Sequence, residues 1–80
     1  MKAQIHITLK NGILDPQGKT IHHALETLEF SGITEVRTGK LIEITFAGVT
    51  RARAQELTEA ACQKLLANPV IENYRYTLSE

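Results

Sequence analysis

Residues 11–20, NGILDPQGKT, end in the Gly-Lys-Thr triplet with which a phosphate loop binds nucleotide phosphates. The motif G-x-x-x-x-G-K-[ST] has a fixed length, because successive backbone N–H groups must point at the phosphates. Five residues separate Gly12 from Gly18, one more than the motif allows, and Pro16 among them has no N–H to donate. Asp15 followed by Pro16 is typical of a helix start, with Asp15 as the N-cap and Pro16 at the first helical position. The segment therefore predicts a helix entrance rather than a nucleotide site.

The histidine and cysteine residues lack the spacing of a metal or catalytic site. His22 and His23 are adjacent, so on a helix they point about 100° apart and make poor ligands for one metal ion. Together with His6 and Cys62 they form no C-x-x-C or H-x-x-x-H pattern. Cys62 stands in an apolar stretch of a predicted helix, so we interpret it as a small buried side chain rather than a nucleophile.

The carboxylates on the predicted helices show no sign of acid–base chemistry. Glu26 and Glu29 lie on the polar side of the first helix, and Glu56 and Glu59 on the polar side of the second. No apolar pocket that would raise their pKa is visible in the sequence. We interpret all four as parts of solvated faces.

The balance of basic and acidic residues points to no polyanionic partner. Nine Lys plus Arg balance nine Asp plus Glu, which argues against binding to nucleic acid or to an anionic membrane surface. Arg51 and Arg53 could contact phosphate, but only Tyr74 and Tyr76 are available to stack bases nearby, and both are predicted to face the core. The single cysteine excludes an internal disulfide, and we find no charged leader and no apolar run near the about 20 residues that span a bilayer. We therefore expect a soluble cytoplasmic protein.

Hydrophobic periodicity predicts the first half of the chain as a strand, a helix and a second β region. Residues 3–9 alternate apolar and polar side chains, which indicates a half-buried strand. The first helix is predicted from Pro16 to about Glu29, with Ile21, Ala24, Leu25 and Leu28 as its apolar stripe. Residues 34–46 are β-like, with Ile42, Ile44 and Phe46 on one face, and Thr38-Gly39 forms either a hairpin or a bulge in one bent strand.

The second half predicts a helix and a final strand. Thr50 is the expected N-cap of a helix from Arg51 to about Ala67, which ends because the residue before Pro69 disfavours the α region. The predicted buried stripe of this helix comprises Ala54, Leu57, Ala61 and Leu65, widened by Cys62 and Leu66. Residues 70–78 alternate again, with Tyr74 and Tyr76 on the buried side.

The element order β-α-β-(β)-α-β predicts an α+β fold of ferredoxin-like character. We expect a small antiparallel sheet of three to four strands with both helices on one face. The other face of the sheet has little to cover it, and an 80-residue domain buries only about 60% of its unfolded surface. Ile71 and the outer strand edges are therefore candidates for a subunit interface, and the sequence predicts an oligomer.

Three stretches together closely resemble one known family. They are LKNGILDPQGKTI (9–21), VRTGKLIEI (36–44) and CQKLLANPVIENYRY (62–76). The sequence resembles the PurS family, the small subunit of bacterial and archaeal phosphoribosylformylglycinamidine synthase, nearly from end to end. The resemblance implies a single PurS-like domain over residues 1–80 with a fold related to the ferredoxin-like type.

The resemblance also implies a role without catalysis. It implies no catalytic residue, cofactor or metal in this chain, with ATP and magnesium bound by a PurL synthetase and ammonia released from glutamine by a PurQ glutaminase. The PurS-like chain bridges these two partners, supports ammonia transfer between them, and self-associates as a dimer or a tetramer.

Features of the family-like stretches that packing alone does not demand are candidate contacts with a partner or a second copy. These candidates are Asp15, Gln17, Lys19, Arg37, Lys40, Asn68, Ile71 and Glu72. The architecture also fits a free-standing dimeric regulatory or small-ligand-binding domain, and less well a small enzyme with His22 or His23 as a base.

Overall fold

A computed structural model describes the whole chain, residues 1–80. It contains three strands and two helices, the second helix continuing into one π-helical turn. The elements are β1 (Lys2–Leu9), α1 (Pro16–Thr27), β2 (Gly39–Thr45), α2 (Arg51–Ala61), the π-helical turn (Cys62–Leu66) and β3 (Glu72–Ser79). The predicted α+β fold is confirmed, with three strands rather than four.

The sheet has the strand order β2-β1-β3, and both pairs are antiparallel. Ile5 of the central strand lies opposite Ile42 on one side and Tyr76 on the other, so the apolar sets of all three strands share one face. This face forms the core.

The segment before β2 is neither a hairpin nor the first half of a bent strand. β2 begins at Gly39, and residues 33–38 have no regular secondary structure. The backbone N–H and hydroxyl of Thr38 both donate to the Asp15 carboxylate at the start of α1. The predicted β pattern in this segment was wrong, because its polar groups bind the helix entrance instead of a strand.

The core is small and centred on β1. Ala3, Ile5 and Ile7 are buried, and Cys62 with Ala67 covers Ile5 and Ile7 from the helical layer. Burial raises the pKa of the Cys62 thiol, as expected for a side chain in apolar surroundings. Cys62 is a buried filler, as the sequence predicted.

The π-helical turn corrects the predicted stripe of the second helix. Ala67 donates its N–H to the Cys62 carbonyl at 3.1 Å, which closes a wider turn than an α-helix has. The residues in this turn are therefore rotated about the helix axis relative to the predicted stripe. Leu66 packs against the core, whereas Leu65, predicted to be buried, is 81% exposed. Thr58, which the stripe did not include, is buried and donates its hydroxyl to the Ala54 carbonyl at 2.8 Å.

Helix α1 begins as predicted but does not pack on the sheet of its own chain. Asp15 caps it by accepting from the Gly18 N–H at 2.8 Å. Of the two helices, α2 packs along β3, whereas α1 has no comparable contact with a strand. The molecule measures 50 × 27 × 14 Å, and its radius of gyration of 16.2 Å exceeds the about 12 Å expected for 80 residues. The protein is therefore elongated because α1 projects from the sheet.

Candidate interface at the loop end of the sheet

The candidate contact residues all lie at one end of the molecule. At this end β1 stops at Leu9, β2 starts at Gly39 and β3 starts at Glu72, because both neighbours of β1 run antiparallel to it. The entrance of α1 and the turn at residues 68–71 join the same end. We call this region, residues 9–19, 36–40 and 68–72, the loop end.

Asp15 holds the loop end together. Only 5% of its surface is exposed, and its carboxylate accepts from the Gly18 N–H, the Thr38 N–H at 2.7 Å and the Thr38 hydroxyl at 2.9 Å. The backbone N–H groups of Thr38 and then Gly18 stabilise the charged form, and so lower the pKa of Asp15. Both carboxylate oxygens accept hydrogen bonds from the chain itself, so Asp15 fixes the conformation of the loop end.

Arg37 ties the loop after β1 to the segment before β2. Its guanidinium donates to the carbonyls of Lys10 at 3.1 Å, Leu9 at 3.2 Å and Ile13 at 3.4 Å. The planar fork of donors suits Arg for several carbonyls at once. The side chain nevertheless stays exposed.

The turn at residues 68–71 is joined to β2 through Glu72. The Glu72 carboxylate accepts from the Asn68 N–H at 2.7 Å and pairs with Lys40 Nζ at 3.6 Å. The Asn68 side chain accepts from the Val70 N–H. The carbonyl of the half-buried Ile71 accepts from the Lys10 N–H at 2.8 Å. These four candidates therefore form one connected patch.

Gln17 and Lys19 differ from the other candidates. Both lie in the first turn of α1 with exposed side chains, and neither side chain makes a hydrogen bond or an ion pair within the chain. Among the eight candidates, Gln17 and Lys19 are therefore the two whose polar side-chain groups make no bond within the chain.

Two polar clefts flank Asp15. One, of about 210 Å³, is lined by Lys19, His22, Glu35 and Arg37 among others, and the other, of about 390 Å³, by Gln17, Lys40 and Glu72 among others. Ligand pockets are mostly lined by apolar and aromatic side chains. Clefts with this many charged and amide groups suit contact with a polar protein surface better than enclosure of a small apolar ligand.

The arrangement holds no catalytic constellation. His22 Nε2 lies 3.0 Å from the Ile33 carbonyl, so one ring nitrogen is already bound within the chain. No three His, Cys, Asp or Glu side chains converge as metal ligands would. Neither helix has the length and apolar character needed to cross a membrane.

One polar cluster was missed by the sequence analysis. Glu59, predicted to be solvated, accepts hydrogen bonds from the hydroxyl of Tyr74 and, at 3.4 Å, from that of Tyr76. The hydrogen bond to Glu59 raises the pKa of Tyr74, whereas burial followed by the charge of Glu59 raises that of Tyr76. The signal was present in the sequence, because two inward-facing tyrosines need partners for their hydroxyls. Glu56, by contrast, is exposed, as predicted, and pairs with Arg53.

Nearly the whole chain matches one family of known proteins. The family model described as PurS, phosphoribosylformylglycinamidine (FGAM) synthase, matches residues 2–80. Phosphoribosylformylglycinamidine synthase subunit PurS of Methanocaldococcus jannaschii is 47% identical over 73 residues, which cover 91% of this chain and 88% of that protein.

Solved structures agree with the sequence match. A structure of Bacillus subtilis PurS superimposes with a TM-score of 0.85 at 40% identity, covering 99% of this chain and 98% of the other. A chain in the structure of PurLQS from Thermotoga maritima superimposes with a TM-score of 0.85 at 30% identity, covering 95% of this chain and 93% of the other.

Proposed function

Because the chain belongs to the PurS family of phosphoribosylformylglycinamidine synthase subunits, we propose that it is the non-catalytic assembly subunit of that enzyme in purine biosynthesis. It bridges a PurQ glutaminase and a PurL synthetase in the cytoplasm and supports the passage of ammonia between them. ATP and magnesium belong to the PurL partner. The observation that carries the proposal is the likeness to a chain in the PurLQS structure from Thermotoga maritima.

A bridging subunit has a physical purpose in this reaction. Ammonia released into water is protonated and diluted, whereas two active sites held in register pass it on at high effective concentration. Such a subunit needs surfaces rather than a reactive side chain. The lack of converging metal ligands and the polar clefts of this chain are compatible with that role.

We place the partner contact at the loop end. Gln17, Lys19 and Lys40 offer exposed polar groups there, and Asp15, Arg37 and Asn68 fix the backbone that presents them. Half-buried Ile71 and Glu72 complete the patch. Interfaces concentrate their energy in a few such positions, so single substitutions are informative.

The proposal is tested by reconstitution with PurQ and PurL from the same source. Amidine synthesis from glutamine is expected to require this chain, whereas synthesis from high concentrations of ammonium by PurL alone is expected to survive its omission. Equal loss with both nitrogen donors, or glutamine-dependent synthesis without this chain, would contradict the bridging role.

The loop end is tested with a matched pair of charge reversals. Lys19→Glu changes an exposed loop-end residue, and Arg53→Glu changes an exposed residue at the start of α2, near the opposite end of the sheet. We expect Lys19→Glu to weaken assembly by about tenfold, within the range of interface side chains, and Arg53→Glu to leave it unchanged. Equal effects of the two substitutions on complex formation in sedimentation would remove the loop end as the contact.

A further inference from the structure

The face of the sheet that points away from the core is not covered by a helix. α2 and the π-helical turn lie on the core side, and α1 has no comparable contact with a strand. Because successive side chains of a strand point to opposite faces, this second face is formed by the residues that alternate with the core set. They are Lys2, Gln4, His6 and Thr8 of β1, Gly39, Leu41, Glu43 and Thr45 of β2, and Asn73, Arg75, Thr77 and Ser79 of β3. We call this surface the outer face.

Arg75 is the one arginine of the chain that has no partner within it. Arg37 and Arg51 donate to backbone carbonyls, and Arg53 pairs with Glu56. Arg75 makes neither a hydrogen bond nor an ion pair, and its side chain is exposed near the middle of β3. Its guanidinium is therefore free to bind a group on another molecule.

The other charges of the outer face neutralise each other. Lys2 Nζ lies 3.5 Å from the Glu43 carboxylate, which also accepts from the Gln4 amide at 2.9 Å. Arg75 therefore leaves the outer face with a net positive charge near its centre. A carboxylate is the group that matches a free guanidinium, because it accepts two parallel N–H bonds from the planar fork.

Two further side chains continue this site across the sheet. Arg75 lies directly opposite His6 on the central strand, and His6 lies opposite Leu41 on the other edge strand. Neither ring nitrogen of His6 is hydrogen-bonded within the chain, and Nδ1 is buried. Leu41 is 55% exposed and is the large apolar side chain of the outer face. This row of a leucine, an imidazole and a guanidinium combines the apolar and polar groups that protein interfaces use.

We infer that the outer face, centred on the row Leu41-His6-Arg75, binds an acidic surface of one large subunit, the one that the loop end does not contact. The inference rests on the proposed function, because a bridge needs a separate surface for each of its two partners. The two surfaces are separate, since Arg75 lies three residues along β3 from Glu72, about 10 Å, and on the opposite face of the sheet. Arg75 donates to a carboxylate of that subunit, and Leu41 packs beside it.

Charge variants of Arg75 test the inference in the complex reconstituted with PurQ and PurL. Arg75→Glu is expected to weaken assembly in sedimentation by about tenfold. Arg75→Ala is expected to weaken it by less, because it removes an attraction without adding repulsion between like charges. Leu41→Glu, at the other end of the row, is expected to weaken assembly as well. Assembly of Arg75→Ala and of Leu41→Glu as tight as that of the unsubstituted chain overturns the inference.

Lys64→Glu is the matched control. Lys64 is an exposed cation on the helical layer, and it makes no ion pair within the chain. It therefore receives the same kind of charge reversal on the opposite side of the sheet and is expected to leave assembly unchanged. Weakening by Lys64→Glu equal to that by Arg75→Glu would assign the effect to the overall charge of the chain and overturn the inference.

The carboxylate of the partner is detected directly with Arg75→Lys. A carbodiimide joins an amine to a carboxylate without a spacer, so the substitution makes position 75 reactive while it keeps the positive charge. We expect peptide mapping of the treated complex to find position 75 linked to an Asp or Glu of one large subunit. A link to a second copy of this chain instead, or no link from position 75 in a complex that has formed, overturns the inference.

Failure of this inference can be distinguished from failure of the proposed function. If the proposed function is wrong, glutamine-dependent synthesis does not require even the unsubstituted chain. If only the inference is wrong, the unsubstituted chain assembles and the outer-face variants assemble equally well. Sedimentation of isolated Arg75→Glu completes the test, and we expect the same mass as for the unsubstituted chain. A change in that mass would assign the outer face to contact between copies and would overturn the inference.

Discussion

Asp15 is the only aspartate of the chain, and its carboxylate serves both the start of α1 and the segment before β2. Because its pKa is lowered in the folded protein, chiefly by the Thr38 N–H, the charged form favours folding. This contribution is complete above the ordinary pKa of 3.8 and is lost as the pH falls through the lower folded value.

We expect Asp15→Asn to lower the melting temperature near neutral pH by about 4–8 °C, because the amide NH2 that replaces one carboxylate oxygen cannot accept from the Thr38 N–H, and this is the scale of one lost hydrogen bond in a domain of this size. The difference from the unsubstituted protein is expected to shrink in acid. Thermal unfolding followed by circular dichroism at fixed protein concentration measures both effects, with the exposed Glu26→Gln on the same helix as the control. A difference that is the same at pH 7 and pH 2 would show that the charge of Asp15 has no such role.

Glu59 and the two tyrosines make a second titration prediction at the residue scale. Tyr74 and Tyr76 are the only tyrosines, so phenolate absorbance reports this cluster alone. Their pKa is raised, so their contribution to stability is complete below the ordinary pKa of 10.0 and is lost as the pH rises through the folded values.

Glu59→Gln is expected to shift the alkaline absorbance midpoint down toward 10, because the neutral amide does not oppose the phenolate charge. Tyr76→Phe isolates the signal of Tyr74, and Glu56→Gln, an exposed carboxylate of the same helix, serves as the control. An unchanged midpoint in Glu59→Gln would show that the carboxylate does not control these phenols.

At the scale of elements, the π-helical turn decides which of two adjacent leucines belongs to the core. Leu66 packs against the core cluster and Leu65 points outward, so the same truncation has different costs at neighbouring positions. We expect Leu66→Ala to lower the free energy of unfolding by about 2 kcal/mol and Leu65→Ala to change it by less than about 0.5 kcal/mol. Urea unfolding of both variants checks this, and the reverse order would mean that α2 continues as a regular α-helix.

Local signals predicted the elements well. Alternation located β1 and β3, and the caps Asp15 and Thr50 located both helix starts, because these signals depend only on residues close in sequence. The outward orientation of Leu65 depends on one inserted helical residue. The irregular conformation of residues 33–38 depends on hydrogen bonds to another segment of the chain. Periodicity carries no information about such bonds.

The sequence indicated which segments to consider as the candidate site, but not which of its side chains are already hydrogen-bonded within the chain. Residues from three family-like stretches meet at the loop end because the antiparallel pairing brings them there. The side chains of Asp15, Arg37 and Asn68 make hydrogen bonds within the chain, whereas those of Gln17 and Lys19 make none. That difference depends on distances between segments, which the order of residues does not contain.

At the scale of the whole molecule, the chain buries little of itself. Only 9 of its 80 residues are buried, and α1 has no sheet of its own to pack on. Small domains have little stability to spare even when compact, so an elongated one depends strongly on association.

Dependence on association predicts that stability rises with protein concentration. If two chains unfold and separate together, their unfolding enthalpy is about 0.7 kcal/mol per residue over both chains, or about 110 kcal/mol. A hundredfold increase in concentration then raises the melting temperature by about 10 °C, because mass action favours the associated state. Scanning calorimetry from micromolar concentrations upward measures the shift. Leu28→Glu, which places a charge on the exposed apolar face of α1, is expected to reduce the shift, and His23→Glu on the opposite side is expected to preserve it. A melting temperature independent of concentration would mean that each chain is stable alone despite its open surfaces.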